Sequence, residues 1–127
     1  MDGLHKKLNM KISDIDHALI IFEESAIEHT KGSHNGDFKL ANRNYSKIVK
    51  AATYLRDNDA LSNLNRLLEH EEKGVQMWAL TYLLSICECE AKKRLIEMRD
   101  AELTHYSFDA KMILQEWESG NLELQYK

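Results

Sequence analysis

Proline is missing from this 127-residue chain, and glycine occurs only five times. Both residues interrupt helices, so their scarcity predicts long helices and few tight turns. There are two cysteines, Cys87 and Cys89, with one residue between them. That spacing is too close for a disulfide between them on a helix, so no disulfide framework is expected and a reducing compartment fits. No run of about 18 apolar residues occurs, which argues against a transmembrane helix. No apolar stretch follows the N-terminal lysines, as it does in a secretory signal. A cytoplasmic location is the resulting expectation. The formal net charge is −4, which speaks against a general nucleic-acid binder.

What is present is a helical pattern. Hydrophobic residues make up 43% and charged residues 30% of the chain, the balance of a soluble globule of one domain. After a polar leader over residues 1–12, Ser13 reads as an N-cap with Asp14 and Asp16 in the first turn. Ile15, Leu19, Phe22 and Ala26 follow at helical spacing and predict a helix over 14–31. The stretch from Lys31 to Gly36 reads as a loop. Asp37 caps a second helix over 38–57, with Phe38, Ala41, Tyr45, Ile48, Ala52 and Leu55 on one face.

Further helices are predicted over 60–70, 74–87, 90–101 and 108–118, the last capped by Ser107 and stopped by Gly120. The helix over 74–87 is apolar on two sides. Val75, Trp78, Ala79, Tyr82, Leu83 and Ile86 share one, and Met77, Leu80 and Leu84 the other. Such a helix is covered on both sides, which places it at the centre. Were one side open, a homodimer would bury it. Residues 121–127 are expected to fray, and no strand is expected. The fold class is therefore all-α, with about six helices in a short stack of antiparallel pairs.

The segment from Ala60 to Ile86 places leucines at 61, 64, 67 and 68, then a charged turn, then Val75, Ala79 and Leu83 on a return helix. This pattern resembles one HEAT-type repeat, in which each helical pair buries its apolar face against a neighbour. The stretch LLEHEEKGVQMWAL and the segment FDAKMILQEWESGNL resemble a family of small bacterial HEAT-like proteins of unknown function. Some of its members are grouped with immunity proteins of bacterial toxin systems. The resemblance covers about the C-terminal half. It implies a protein partner, and it carries no catalytic motif.

The six histidines, His5, His17, His29, His34, His70 and His105, show no HExxH spacing, and the cysteines form no CxxC. A metal site needs three or four converging ligands, so exposed polar residues at loop edges are the expected reading and no metal or cofactor is expected. Cys87 has no identifiable base and is expected to pack at the end of the central helix. Trp78 and Trp117 fall at core spacing.

Charge is unevenly distributed: −2 over residues 1–36, +3 over 37–68 and −5 over 69–127. Glu69, Glu71 and Glu72 cluster at one turn, and Glu116 and Glu118 close the last helix. As solvated carboxylates they can offer negative charge to a basic partner. Lys39, Arg43, Lys47 and Lys50 form the opposite feature, a basic face on the second helix that can track a phosphate backbone.

Three functions follow. The first is a protein-binding module of the immunity type that neutralises a toxin, a basic toxin domain suiting the acidic half. The second is a nucleic-acid binder using the basic face. The third is an enzyme built on carboxylates or Cys87, which requires a concave polar pocket with converging groups. No catalytic residue is identifiable, and no membrane association is expected.

Overall fold

A computed structural model of the chain describes residues 11–126. They form six helical segments and no strand: α1 (Ile15–Asn35), α2 (Phe38–Asp57), a 3-10 helix (Leu61–Leu67), α3 (Lys73–Leu83), α4 (Glu88–Asp100) and α5 (His105–Glu118). The polar leader falls almost wholly outside the described residues, although Ile12 packs against the core. Among the described residues, no helix is long and apolar enough to cross a membrane.

α1 and α2 form an antiparallel hairpin, the most extensive helix–helix contact in the fold. Asp14, not Ser13, caps α1 by accepting from the His17 amide at 2.8 Å. Asp37 caps α2 as its sequence position predicts, accepting from the Leu40 amide at 3.1 Å. The predicted loop over 31–36 is instead the last turn of α1. Only Gly36 leaves the helix, at φ 73, and the Asp37 amide closes the end on the Gly32 carbonyl. Gly32 is buried within this turn. A Cβ there would lie 2.8 Å from the Ala41 nitrogen and 2.9 Å from the Asp37 oxygen. Its glycine therefore serves a close approach of two backbones and not a break.

The segment predicted as an α-helix over 60–70 is a 3-10 helix. Leu61, Leu64 and Leu67 recur every third residue and are all buried, which suits three residues per turn. The Asn63 and Asn65 side chains donate to the carbonyls of Ala60 and Ser62, competing with the α-helical ladder. α3 is central as predicted. Val75, Ala79, Tyr82 and Leu83 are buried on one side and Met77, Leu80 and Leu84 on the other, within one chain. The helix ends at Leu83, short of the predicted 87, and Ile86, expected on the first side, is 50% exposed beyond it.

α4 and α5 make the second hairpin. Its junction holds Glu102 at φ 55 and Thr104 at φ 56, a left-handed conformation that a β-branched residue rarely adopts. Ser107, predicted as the cap, is the third residue of α5, and Thr104 holds the N-cap position. The Ser107 hydroxyl accepts from the Leu103 amide at 2.7 Å and donates to the Met98 carbonyl at 2.8 Å, tying α5 back to the end of α4. Gly120 stops the helix region at φ 77.

The tail, expected to fray, lies against the core over its described residues. Residues 121–126 run extended, with Leu122, Leu124 and Tyr126 against the core. The Tyr82 hydroxyl donates to the Gln125 carbonyl at 2.9 Å. Tyr126 meets the Tyr82 ring edge-on at 5.5 Å, and the Arg56 guanidinium lies 4.1 Å above the Tyr126 ring. Alternate apolar residues lock the strap because an extended chain turns every second side chain to the same face.

Candidate functional site

A groove of about 550 Å3 lies between the C-terminal half of α1, α3 and α5. α1 contributes His29, Thr30, Ser33 and His34, four residues spread over one turn and a half. α3 supplies the floor with Gly74, Met77, Trp78 and Thr81 at i, i+3, i+4 and i+7. α5 supplies Tyr106, Asp109, Ile113 and Glu116 on one face, with His105 at its start. The floor is narrow at Gly74, where any Cβ would collide with the Thr30 side chain. Thr30 itself is held by donating to the Ala26 carbonyl at 2.9 Å.

Ring contacts organise the groove. The Trp78 indole lies between His29, edge-on at 5.1 Å, and Tyr45 at 5.9 Å. It is half-buried, so the core position predicted for it is only partly realised. His34 stacks on His105 at 5.1 Å and on Tyr106 at 5.6 Å, joining the last turn of α1 to the first of α5. Burial holds the His29 imidazole below its ordinary pKa. Burial also raises the Tyr106 phenol, and the negative charges of Glu72 and Asp109 raise it further. Of those two carboxylates, Asp109 lines the groove and Glu72 does not.

His29 provides a direct check. Its ring proton signals, followed by NMR against pH, are expected to titrate with a midpoint below 6.5. Folding favours the neutral ring, so its contribution to stability is present above the unfolded value. That contribution is lost as pH falls through the folded value. A midpoint at or above 6.5 would contradict the packing of His29 on Trp78.

The groove is the concave pocket that an enzyme would need, yet no reacting pair sits in it. None of its histidines is hydrogen-bonded to a carboxylate or hydroxyl among the described residues. The one histidine–carboxylate bond among the described residues, His70 Nε2 to Glu23 at 2.8 Å, is part-buried and lies elsewhere. Its Nδ1 accepts from the Glu72 amide at 3.0 Å. Both ring nitrogens are thereby committed to pinning the turn before α3 onto α1. Among the described residues, no group of three or more histidine, cysteine or acidic side chains is placed to hold a metal ion. Cys87 packs partly against the core, and its thiol is pushed up by burial and by Glu90, which disfavours a thiolate.

The acidic residues singled out in the sequence do not form one patch. Glu69 pairs with Arg94 at 3.3 Å, and Glu118 pairs with Lys92. Glu71 and Glu72 are exposed at the start of α3. Only Glu116 lines the groove. Trp117 packs partly on the core and donates its indole N–H to Glu88 at 2.8 Å. On α2, Lys39 and Arg43 are exposed, while Lys47 and Lys50 are half-buried and Lys50 has an interaction of its own. Phe38, predicted on the apolar stripe, is 71% exposed instead. It is the first residue of α2.

A smaller cavity of about 240 Å3 opens between the 3-10 helix, α3 and α4. Its one guanidinium, Arg94, already faces Glu69 and Glu90, which leaves the larger groove as the better site.

No family model matches the chain, and neither does any curated protein. A solved structure does: the protein RPA1889 from Rhodopseudomonas palustris CGA009 aligns over 88% of this chain and 94% of its own. The TM-score is 0.78 and the sequence identity 18%. At that identity the likeness establishes the helical fold and nothing about activity.

Proposed function

We propose that this chain is a protein-binding module whose docking surface is the α1–α3–α5 groove, and that it belongs functionally with immunity proteins that neutralise a bacterial toxin. The observation that carries the binding reading is the groove itself. It is large enough to take several side chains, and it presents half-buried aromatic rings with unpaired polar groups around them. Half-buried aromatics in a pocket are the usual anchors of protein interfaces. The absence of a hydrogen-bonded nucleophile and base in it weighs against catalysis. The toxin assignment is supported by the sequence resemblance of the C-terminal half.

The test is reconstitution of a complex with the products of neighbouring genes, using the whole chain and a Ser33→Trp variant. Ser33 is exposed on the rim, so the variant should fold normally while filling the groove. Loss of at least ~30-fold in affinity is expected, the scale of a hot-spot change of ~2 kcal/mol. Unchanged binding in the variant, or no protein partner among those products, would sink the reading.

A second reading, nucleic-acid binding by α2, keeps one supporting observation. Lys39, Arg43 and Lys47 have no carboxylate partner among the described residues. It predicts affinity for nucleic acid that falls steeply with salt and disappears when the three are neutralised.

A further inference from the structure

The chemistry of the groove is specific enough to name what enters it. α5 turns Asp109, Met112, Ile113 and Glu116 to the same side. Asp109 and Glu116 are seven residues apart, two helical turns, which separates them by about 10 Å along the axis. Neither has an ion pair or a side-chain hydrogen bond among the described residues, whereas Glu69, Glu88, Glu90 and Glu118 of the same acidic half are all paired. Between the two free carboxylates lie the apolar side chains of Met112 and Ile113. Opposite them is Trp78 on α3. Among the lining histidines, His29 on α1 has its pKa lowered by burial, and His105 stands one turn before Asp109 on α5. Acidic, apolar and acidic surface therefore alternate along one wall, facing an aromatic ring.

We propose that the groove receives a basic segment of the protein partner, in which two lysine or arginine residues about 10 Å apart flank an apolar one. The cations meet Asp109 and Glu116, and the apolar residue between them rests on Met112, Ile113 and Trp78. An extended polyproline-type segment brings residues three apart onto one side at a separation of about 9 Å, and a helix brings residues seven apart there at about 10 Å. Arginine suits the site best, because its flat guanidinium can bond a carboxylate through two N–H groups at once. Charge complementarity selects this occupant over an acidic or purely apolar one. The inference rests on the groove being the docking surface, as proposed above.

The test uses the whole chain, 15N-labelled, titrated at pH ~8, above the ordinary histidine range. The probe is a short capped peptide with two arginines three residues apart around a leucine. The control has glutamates in place of the arginines. Saturable shifts are expected at the Trp78 indole N–H and at the Asp109 to Glu116 amides with the arginine peptide alone. The double variant Asp109→Asn, Glu116→Gln should keep the native spectrum, since both side chains are exposed and unpaired, and weaken the peptide at least ~5-fold. Equal binding of the glutamate peptide overturns the proposal, as do shifts confined to other faces, affinity unchanged in the double variant, or no binding. If the peptide fails while Ser33→Trp still abolishes the partner complex, the groove remains the docking surface and only its basic occupant is wrong. If Ser33→Trp has no effect either, the docking surface itself is wrong.

Discussion

Tyr82→Ala is expected to lower the unfolding free energy by about 3–5 kcal/mol, the range for removing a large buried side chain. Tyr82 is 1% exposed at the centre of the fold. Its ring meets Phe22 of α1 edge-on at 5.9 Å and Tyr126 of the C-terminal strap at 5.5 Å. One substitution therefore opens a cavity beneath two elements at once. Tyr82→Phe keeps the ring and removes only the bond to the Gln125 carbonyl, so it should cost about 1 kcal/mol. Urea denaturation of the two variants checks both values. A loss below ~1 kcal/mol in the alanine variant would mean the strap and α1 do not rest on this ring.

The same residue governs behaviour in alkali. Burial pushes the Tyr82 phenol well above the usual tyrosine range, with Tyr45 and Tyr126 adding to the effect. In the unfolded chain the phenol ionises near pH ~10, while in the folded chain it stays protonated. The unfolded state thus binds fewer protons above that pH, and stability must fall as pH rises from about 10 upward. Tyr82→Phe should flatten part of that slope. Tyr106, Tyr126 and Cys87, also raised mainly by burial, contribute in the same direction.

Gly32→Ala is the second large effect, and its sign is the informative part. An exposed glycine inside a helix ordinarily gains about 0.5–1 kcal/mol of stability on conversion to alanine. Here the added methyl would meet backbone atoms of Ala41 and Asp37 at under 3 Å, and backbone cannot swing aside. The hairpin must separate, at a cost of about 1–3 kcal/mol. Ser33 and His34 follow directly in the chain, so the groove wall should shift with it. Thermal unfolding beside Gly36→Ala, where the surroundings are open and only φ 73 opposes the change, separates crowding from backbone strain. A stabilised Gly32→Ala would show that the helices do not approach this closely.

Much of the helical order was legible because its signals are local. α2 begins and ends where Asp37 and the apolar spacing put it. The two-sided pattern of α3 correctly placed it in the middle. The misreadings share a physical origin: a residue with two uses was assigned the commoner one. Gly32 was read as a helix breaker, when it admits a neighbouring backbone. Leu61, Leu64 and Leu67 fit α and 3-10 periods alike, and the asparagines between them decide for the tighter helix. Leu122, Leu124 and Tyr126 alternate over too short a stretch to register as extended structure, yet Tyr82 and Arg56 were waiting to receive them.

The groove was less legible than the fold. Its walls come from residues 29–34, 74–81 and 105–116, brought together only by the packing of two hairpins on α3. His29, His34 and His105 were seen as isolated polar residues because nothing in a sequence states that α1 ends beside the start of α5. Asp109 drew no notice, since its carboxylate matters only for what it fails to pair with.

α5 buries only Ala110 and Leu114 fully, while α1 and α3 bury seven residues each. It hangs from a junction with two residues in a disfavoured backbone conformation. The groove therefore behaves as a vice with two fixed jaws and one that is lightly sprung. Whatever settles against Asp109 and Glu116 need not match a rigid mould, because the wall that bears its charge is the one that yields at least cost. If the groove is the docking surface proposed above, this build would let it accept segments that differ in bulk while holding them to the same spacing of charge.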